Sequence, residues 1–159
     1  MDQAIVACST PPGRGAISIV RISGKEAKSI INSLFSLKFD HGTSKVAETS
    51  LLEGFNEKCL ISCFESPSSY TGEDVAEISC HGNPLIVRAL IQKCIELGAR
   101  NANPGEFTQR AFLNNKIDLV QSEAVIDLIN ASSSSAMAAA SKSVSGNFGE
   151  NVDLSLIHI

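Results

Sequence analysis

Three charged side chains in this 159-residue sequence stand where a charge has chemical consequences: Arg21, Glu77 and Lys116. Glu77 lies in the alternating stretch Asp74 to Cys80, whose faces are Val75, Glu77, Ser79 and Ala76, Ile78, Cys80. A carboxylate at mid-strand is costly to bury unless it is paired or exposed. Two roles are open to it. A half-buried carboxylate can accept two hydrogen bonds from an amino-pyrimidine or guanidine-like ring, and a glutamate on an edge strand can instead block unwanted strand pairing. Arg21 ends the otherwise apolar face Ile17, Ile19, Arg21, so it either reaches solvent at a strand end or meets an anionic partner. Arg21 and Lys116 are both placed to receive an anionic ligand tail or to pair with Glu77.

Three segments are dense in glycine and charge: Thr10–Gly15 (TPPGRG), which precedes the strand stretch of Arg21, Tyr70–Asp74 (YTGED), which precedes Glu77, and Pro104–Lys116 (PGEFTQRAFLNNK). Each alone reads as a solvated turn; together they favour a site, because binding residues concentrate on loops held by a rigid scaffold. Other chemistries are poorly supported. The one Gly-Lys step, Gly24-Lys25, is followed by Glu26 and has Ile19 where a phosphate loop of the Walker type needs glycine, so the chain is not expected to bind a nucleoside triphosphate by itself. No Gly-x-Gly-x-x-Gly, His-Glu-x-x-His or EF-hand pattern occurs. Glu73-Asp74 is a weak metal-leaning pair with no third ligand nearby. Cys80-His81 is the one adjacent thiol–imidazole pair, but neighbours on a strand point to opposite faces and so make a poor nucleophile–base dyad.

The elements that must position these residues follow from periodicity. Residues 3–8 and 16–22 read as strands separated by the Pro/Gly loop. Lys25 to Ser36 carries Ala27, Ile30, Ile31, Leu34 and Phe35 at helical spacing. Residues 40–57 suggest a strand and a turn, residues 59–64 a strand, residues 65–72 a loop and residues 74–80 a strand. Asn83 is a plausible N-cap for a helix with Pro84 in its first turn, running from Leu85 to Leu97 and stopped by Gly98. Glu106 to Leu113 reads as a short helix. Asp118 with Gln121 has the spacing of a capping box. From Leu119 to Val144 there is neither Gly nor Pro, which predicts one long small-residue helix that needs a partner to cover it, with Ser132–Ser135 as the place where it would bend. The apolar end Leu154 to Ile159 reads either as a helix cut short or as a docked terminus. The change in composition predicts a boundary near residue 118.

Composition bounds the class. With 43% hydrophobic and 19% charged residues the chain is neither disordered nor membrane-spanning. Its net charge of −4 argues against wrapping nucleic acid unaided. Met1 to Cys8 has no basic stretch of the signal-peptide kind, and five cysteines, an odd number, point to reduced thiols in the cytoplasm. The thiols read mainly as small buried hydrophobes.

In their order and spacing, TPPGRGAISIVRISG, YTGEDVAEISCHGNP and PGEFTQRAFLNNKIDLVQSEAVIDLINASS resemble the N-terminal part of the tRNA modification GTPase MnmE (TrmE) family across about residues 5–135. The resemblance implies an α/β (α+β) folate-binding domain similar to that of the glycine-cleavage T-protein, spanning residues 1–118 and driving homodimerisation, then the beginning of a helical domain at 119–159. It places the folate contacts on Arg21, Glu77 and Lys116, with 5-formyltetrahydrofolate or a related one-carbon tetrahydrofolate as cofactor and no catalytic or metal-binding residue. Potassium, magnesium and GTP belong to a G domain not contained in these residues, so no GTPase activity is expected of this chain alone. The implied partners are a second copy, the flavoprotein MnmG (GidA), and tRNA through the assembled complex that modifies the wobble uridine, with no membrane. Alternatives are a dimerisation module without folate binding and a T-protein-like aminomethyltransferase. The sequence departs from the family at Asn103, where arginine is usual, and at Asn83 and Asn115, where glycine is common.

Overall fold

The computed structural model describes residues 3–38 and 44–145. The chain divides into two compact units, the first ending at Phe107 and the second beginning at Thr108. The first unit holds a six-stranded sheet formed by β1 (Ile5–Cys8), β2 (Ile17–Ser23), β3 (Ser44–Leu52), β4 (Phe55–Phe64), β5 (Val75–His81) and β6 (Arg100–Asn101). Their order across the sheet is β3-β4-β5-β2-β1-β6. Every pairing is antiparallel except β1 with β6, which is parallel. Two helices of this unit, α1 (Ala27–Phe35) and α2 (Pro84–Glu96), pack on one side of the sheet.

The core between these layers follows from period-2 alternation. Val20 and Ile22 of β2, Ala76, Ile78 and Cys80 of β5, and Cys59 and Ile61 of β4 all face the helices and are buried. They meet Ile30, Ile31, Leu34 and Phe35 of α1 and Ile86, Leu90 and Cys94 of α2. Helix α2 starts as its sequence predicts: Asn83 accepts the Leu85 N–H at 2.9 Å, and Pro84 occupies the first turn. It ends at Gly98, whose φ of +110° lets Ala99 N–H return to the Cys94 carbonyl at 3.0 Å. Two features escape the periodicity. Strand β4 begins earlier than expected, at Phe55, directly after the Glu53–Gly54 turn. Strand β6 has only two residues, too few to carry a pattern.

The sheet's other side carries a different set. Ile17, Val46, Leu60 and Phe64 are exposed apolar side chains there, and Val46 stands opposite Leu60 in the register. Arg21 and Glu77 share this side.

The second unit begins within α3 (Glu106–Leu113) and continues through α4 (Leu119–Asn130) and α5 (Ser134–Val144). The single long helix expected over 119–144 is in fact two helices. Ala131 leaves the helical region with ψ 120°, and Ser133 caps α5 by accepting the Ala136 N–H at 3.2 Å. A serine able to satisfy a free backbone donor favours a new helix start over continuation. Asp118 and Gln121 form the full capping box at the start of α4. Gln121 also donates to the Val144 carbonyl at 3.0 Å, tying the start of α4 to the end of α5. The segment Leu154 to Ile159 lies outside the described residues. Among those residues no helix is long and apolar enough to cross a membrane.

Candidate functional site

Strands β2 and β5 are the middle of the sheet, and their register sets Arg21 directly opposite Glu77. The edge-strand reading of Glu77 therefore fails, because β5 is flanked on both sides, by β4 and β2. Solvation of Arg21 at a strand end fails as well. Its Nη2 lies 2.7 Å, and its Nε 2.8 Å, from one oxygen of Glu77, Oε1. Each side chain is 24% exposed, so the pair is half-sheltered and still reachable. Both contacts converge on Oε1. Glu77 Oε2 and Arg21 Nη1 make no hydrogen bond among the described residues, which leaves one acceptor and one donor of the pair open.

Two aromatic rings complete this arrangement. The Arg21 guanidinium lies 5.2 Å from the centroid of Tyr70 and 5.7 Å from that of Phe107, within cation–π range of both. Neither ring is evident from charge or spacing. The available signal is that both belong to the glycine-dense segments, Tyr70 to YTGED and Phe107 to PGEF.

The charged residues of those segments serve to hold the rings in place. Ser23 at the end of β2 bonds Thr71 Oγ1 at 2.7 Å and donates to Glu73 Oε2 at 2.8 Å, and Thr71 is fully buried. Asp74 Oδ1 accepts the Ser66 N–H at 2.9 Å. Glu73 and Asp74 are thus occupied in fixing the loop, and among the described residues no cluster of three or more His, Cys, Asp or Glu could hold a metal. In the third segment buried Glu106 accepts from both terminal nitrogens of Arg100, one of them at 2.8 Å, and from the Asn103 N–H at 2.8 Å. Those hydrogen bonds push the Arg100 pKa above its ordinary value. Asn103 contributes its backbone N–H and carbonyl to this turn.

Lys116, the third expected site residue, belongs to the second unit. Its N–H closes α3 by bonding the Ala111 carbonyl at 2.9 Å. With Phe112, Ile117 and Gln121 it lines an open hollow of about 530 Å³. Asn115 beside it has φ +55°, in the left-handed region where glycine is common and asparagine is the best tolerated alternative. Asn83 has φ −114°, which requires no glycine.

The Pro/Gly loop is pinned to the β5–α2 turn. Gly15 N–H bonds the Gly82 carbonyl at 2.9 Å, and Gly82 N–H bonds Ala16 at 3.3 Å. A Cβ on Gly82 would stand 2.4 Å from the Gly15 carbonyl oxygen. Next to it, buried Glu57 takes both the His81 backbone N–H and ring Nδ1 on Oε1, each at 2.8 Å. Cys80 points the other way, its Sγ 3.5 Å from the Ser18 carbonyl. Burial pushes its thiol up to about 11, the reverse of what a nucleophile needs.

Residues 4–116 match the family described as GTP-binding protein TrmE N-terminus. The chain is 48% identical over 149 residues to a protein of Francisella philomiragia named tRNA modification GTPase MnmE, covering 94% of this chain and 33% of that protein. Proteins of the same name from Legionella pneumophila strain Corby and Francisella tularensis are 48% identical over 155 residues and 45% identical over 149 residues, each covering 94% of this chain. These alignments cover 34% and 33% of the two proteins. The chain thus spans about a third of the length of the curated relatives it matches.

Proposed function

The chain belongs to the TrmE N-terminal family, and we propose that it binds a one-carbon tetrahydrofolate, 5-formyltetrahydrofolate or a close relative, with Arg21 and Glu77 at the centre of the site. The observation that carries this reading is the half-sheltered pair itself. It offers an open carboxylate oxygen on Glu77 and an open guanidinium nitrogen on Arg21, with Tyr70 and Phe107 against the guanidinium. A pterin presents an amino-pyrimidine edge that donates to a carboxylate, and a flat ring suited to stacking. Lys116 supplies a cation for the ligand's glutamate tail in this reading.

The same proposal has the chain pair with a second copy through the sheet side bearing Val46, Leu60 and Ile17, since apolar side chains aligned on one sheet face gain by being covered. The layered sheet then corresponds to the folate-binding domain of the glycine-cleavage T-protein. In the longer protein this part works in the cytoplasm with a potassium- and magnesium-dependent G domain that hydrolyses GTP, with MnmG, and with tRNA whose wobble uridine is modified. The 159 residues contain no phosphate-binding loop of the Walker type, so GTP turnover is not expected from this chain on its own.

Calorimetric titration with 5-formyltetrahydrofolate tests the site. Saturable binding is expected, weakened by about 1.5–3 kcal/mol in Glu77→Ala, the loss typical of a charge-assisted hydrogen bond. Absence of binding by a chain with native circular dichroism, or equal binding by the variant, would leave a dimerisation module without folate.

A further inference from the structure

The helix-bearing side of the sheet, opposite Arg21 and Glu77, holds a cavity that the folate reading does not use. It has a volume of about 490 Å³, within the range of small-molecule sites. One wall is helix α2, which turns Val87, Ile91 and Ile95 inward at successive helical turns. The facing wall is the Pro11–Pro12–Gly13 stretch, and Cys8 and Ser18 form the strand side.

This cavity is preformed. The loop that makes its outer wall is clamped at its far end by the two hydrogen bonds between Gly15–Ala16 and Gly82. At its near end Ser9 N–H bonds the Ile19 carbonyl at 2.7 Å, and Thr10 Oγ1 accepts the Ile19 N–H at 3.3 Å. Two prolines further restrict the backbone between these clamps. A wall fixed this way need not be ordered when a ligand arrives, which removes one cost of binding.

Its charge is one-sided. Of the lining residues Arg88 alone is charged, and none carries a carboxylate. Arg88 is exposed at the rim, makes no ion pair among the described residues, and stands one helical turn from Gln92, whose amide nitrogen donates one hydrogen to Glu96 Oε1 at 3.3 Å and has a second to offer on the same rim. An apolar cavity with a single cation and an amide at its mouth is complementary to a molecule with an apolar body and one anionic end.

We infer that this cavity is a binding site for a small organic anion: an aromatic or aliphatic body seated against Val87, Ile91 and Ile95, with its carboxylate held by Arg88 and Gln92. The site is on the other side of the sheet from the Arg21–Glu77 pair, so it stands or falls independently of folate binding.

The probe is 2-naphthoate, titrated into the full chain while backbone amide resonances are followed, with neutral 2-naphthamide as its isostere. Saturable shifts are expected in residues 87–95 and 10–13, with a dissociation constant below about 1 mM. The amide, and the exposed-site variant Arg88→Ala, should each bind about tenfold more weakly. Bound naphthoate should also slow iodoacetamide alkylation of Cys8, read by peptide mass. Shifts that do not saturate by roughly 10 mM, equal binding of the amide, or unchanged affinity in Arg88→Ala would each overturn the proposal.

Discussion

Arg21 spends two donors on one oxygen of Glu77 while its flat face meets two rings. A lysine retains the charge but neither the fork nor the planar surface. Arg21→Lys should therefore keep most of the fold's stability, yet lose about 1–2 kcal/mol of folate affinity, measured by the same calorimetry. Tyr70→Leu should cost less, about 0.5–1 kcal/mol, because Phe107 remains. The thiols make a separate prediction. Burial pushes Cys59 and Cys94 up to about 12 and Cys80 up to about 11, while in the unfolded chain they titrate near their ordinary value of 9.0. The folded state therefore holds its thiol protons longer than the unfolded state does. Stability from this source is complete below pH about 9 and falls as pH rises toward 11–12. Thermal melts between pH 8 and pH 11 should show a decline that is shallower in Cys94→Ala; identical slopes would contradict it. At this scale the sequence exposed the charges, because an ionised side chain on an apolar strand face is conspicuous. It hid the rings, because Tyr70 and Phe107 look like ordinary loop and helix residues until the fold brings both to Arg21.

Strands and helices were legible wherever a period or a cap was complete. The sequence shows α1 through its apolar stripe, α2 through Asn83, Pro84 and Gly98, and α4 through Asp118 and Gln121. It misled between α4 and α5, where helix-forming alanines on either side outweighed the capping role of Ser133. It was silent on β6, which exists only because β1 offers an open edge. Two substitutions test the element scale. Ser133→Ala removes the cap of α5 and should cost about 1 kcal/mol, read by chemical denaturation. Gly82→Ala drives a Cβ into the Gly15 backbone and should destabilise by about 1–3 kcal/mol. Gly15→Ala meets only the Ile17 oxygen, at 3.8 Å, and should be far milder.

For the whole molecule, the exposed side of the sheet is the decisive surface. If it pairs two copies, Leu60→Glu at its centre should yield a monomer in sedimentation velocity while leaving the helix-side core intact, since Leu60 points away from that core. An unchanged sedimentation coefficient would remove this face from the dimer. The strand order carries one more implication, about time. Strands β3 and β4 are joined by a tight turn and β1 and β2 by a short loop, so both ribbons can form soon after their residues emerge from synthesis. The seam between them, β2 against β5, closes over a separation of 56 residues, and it is where Arg21 meets Glu77. Long-range strand pairing is the slow part of folding. Pulse-labelled hydrogen exchange should protect β3–β4 amides before the β2–β5 amides, and the ligand site would then come into existence only after the β3–β4 ribbon has formed.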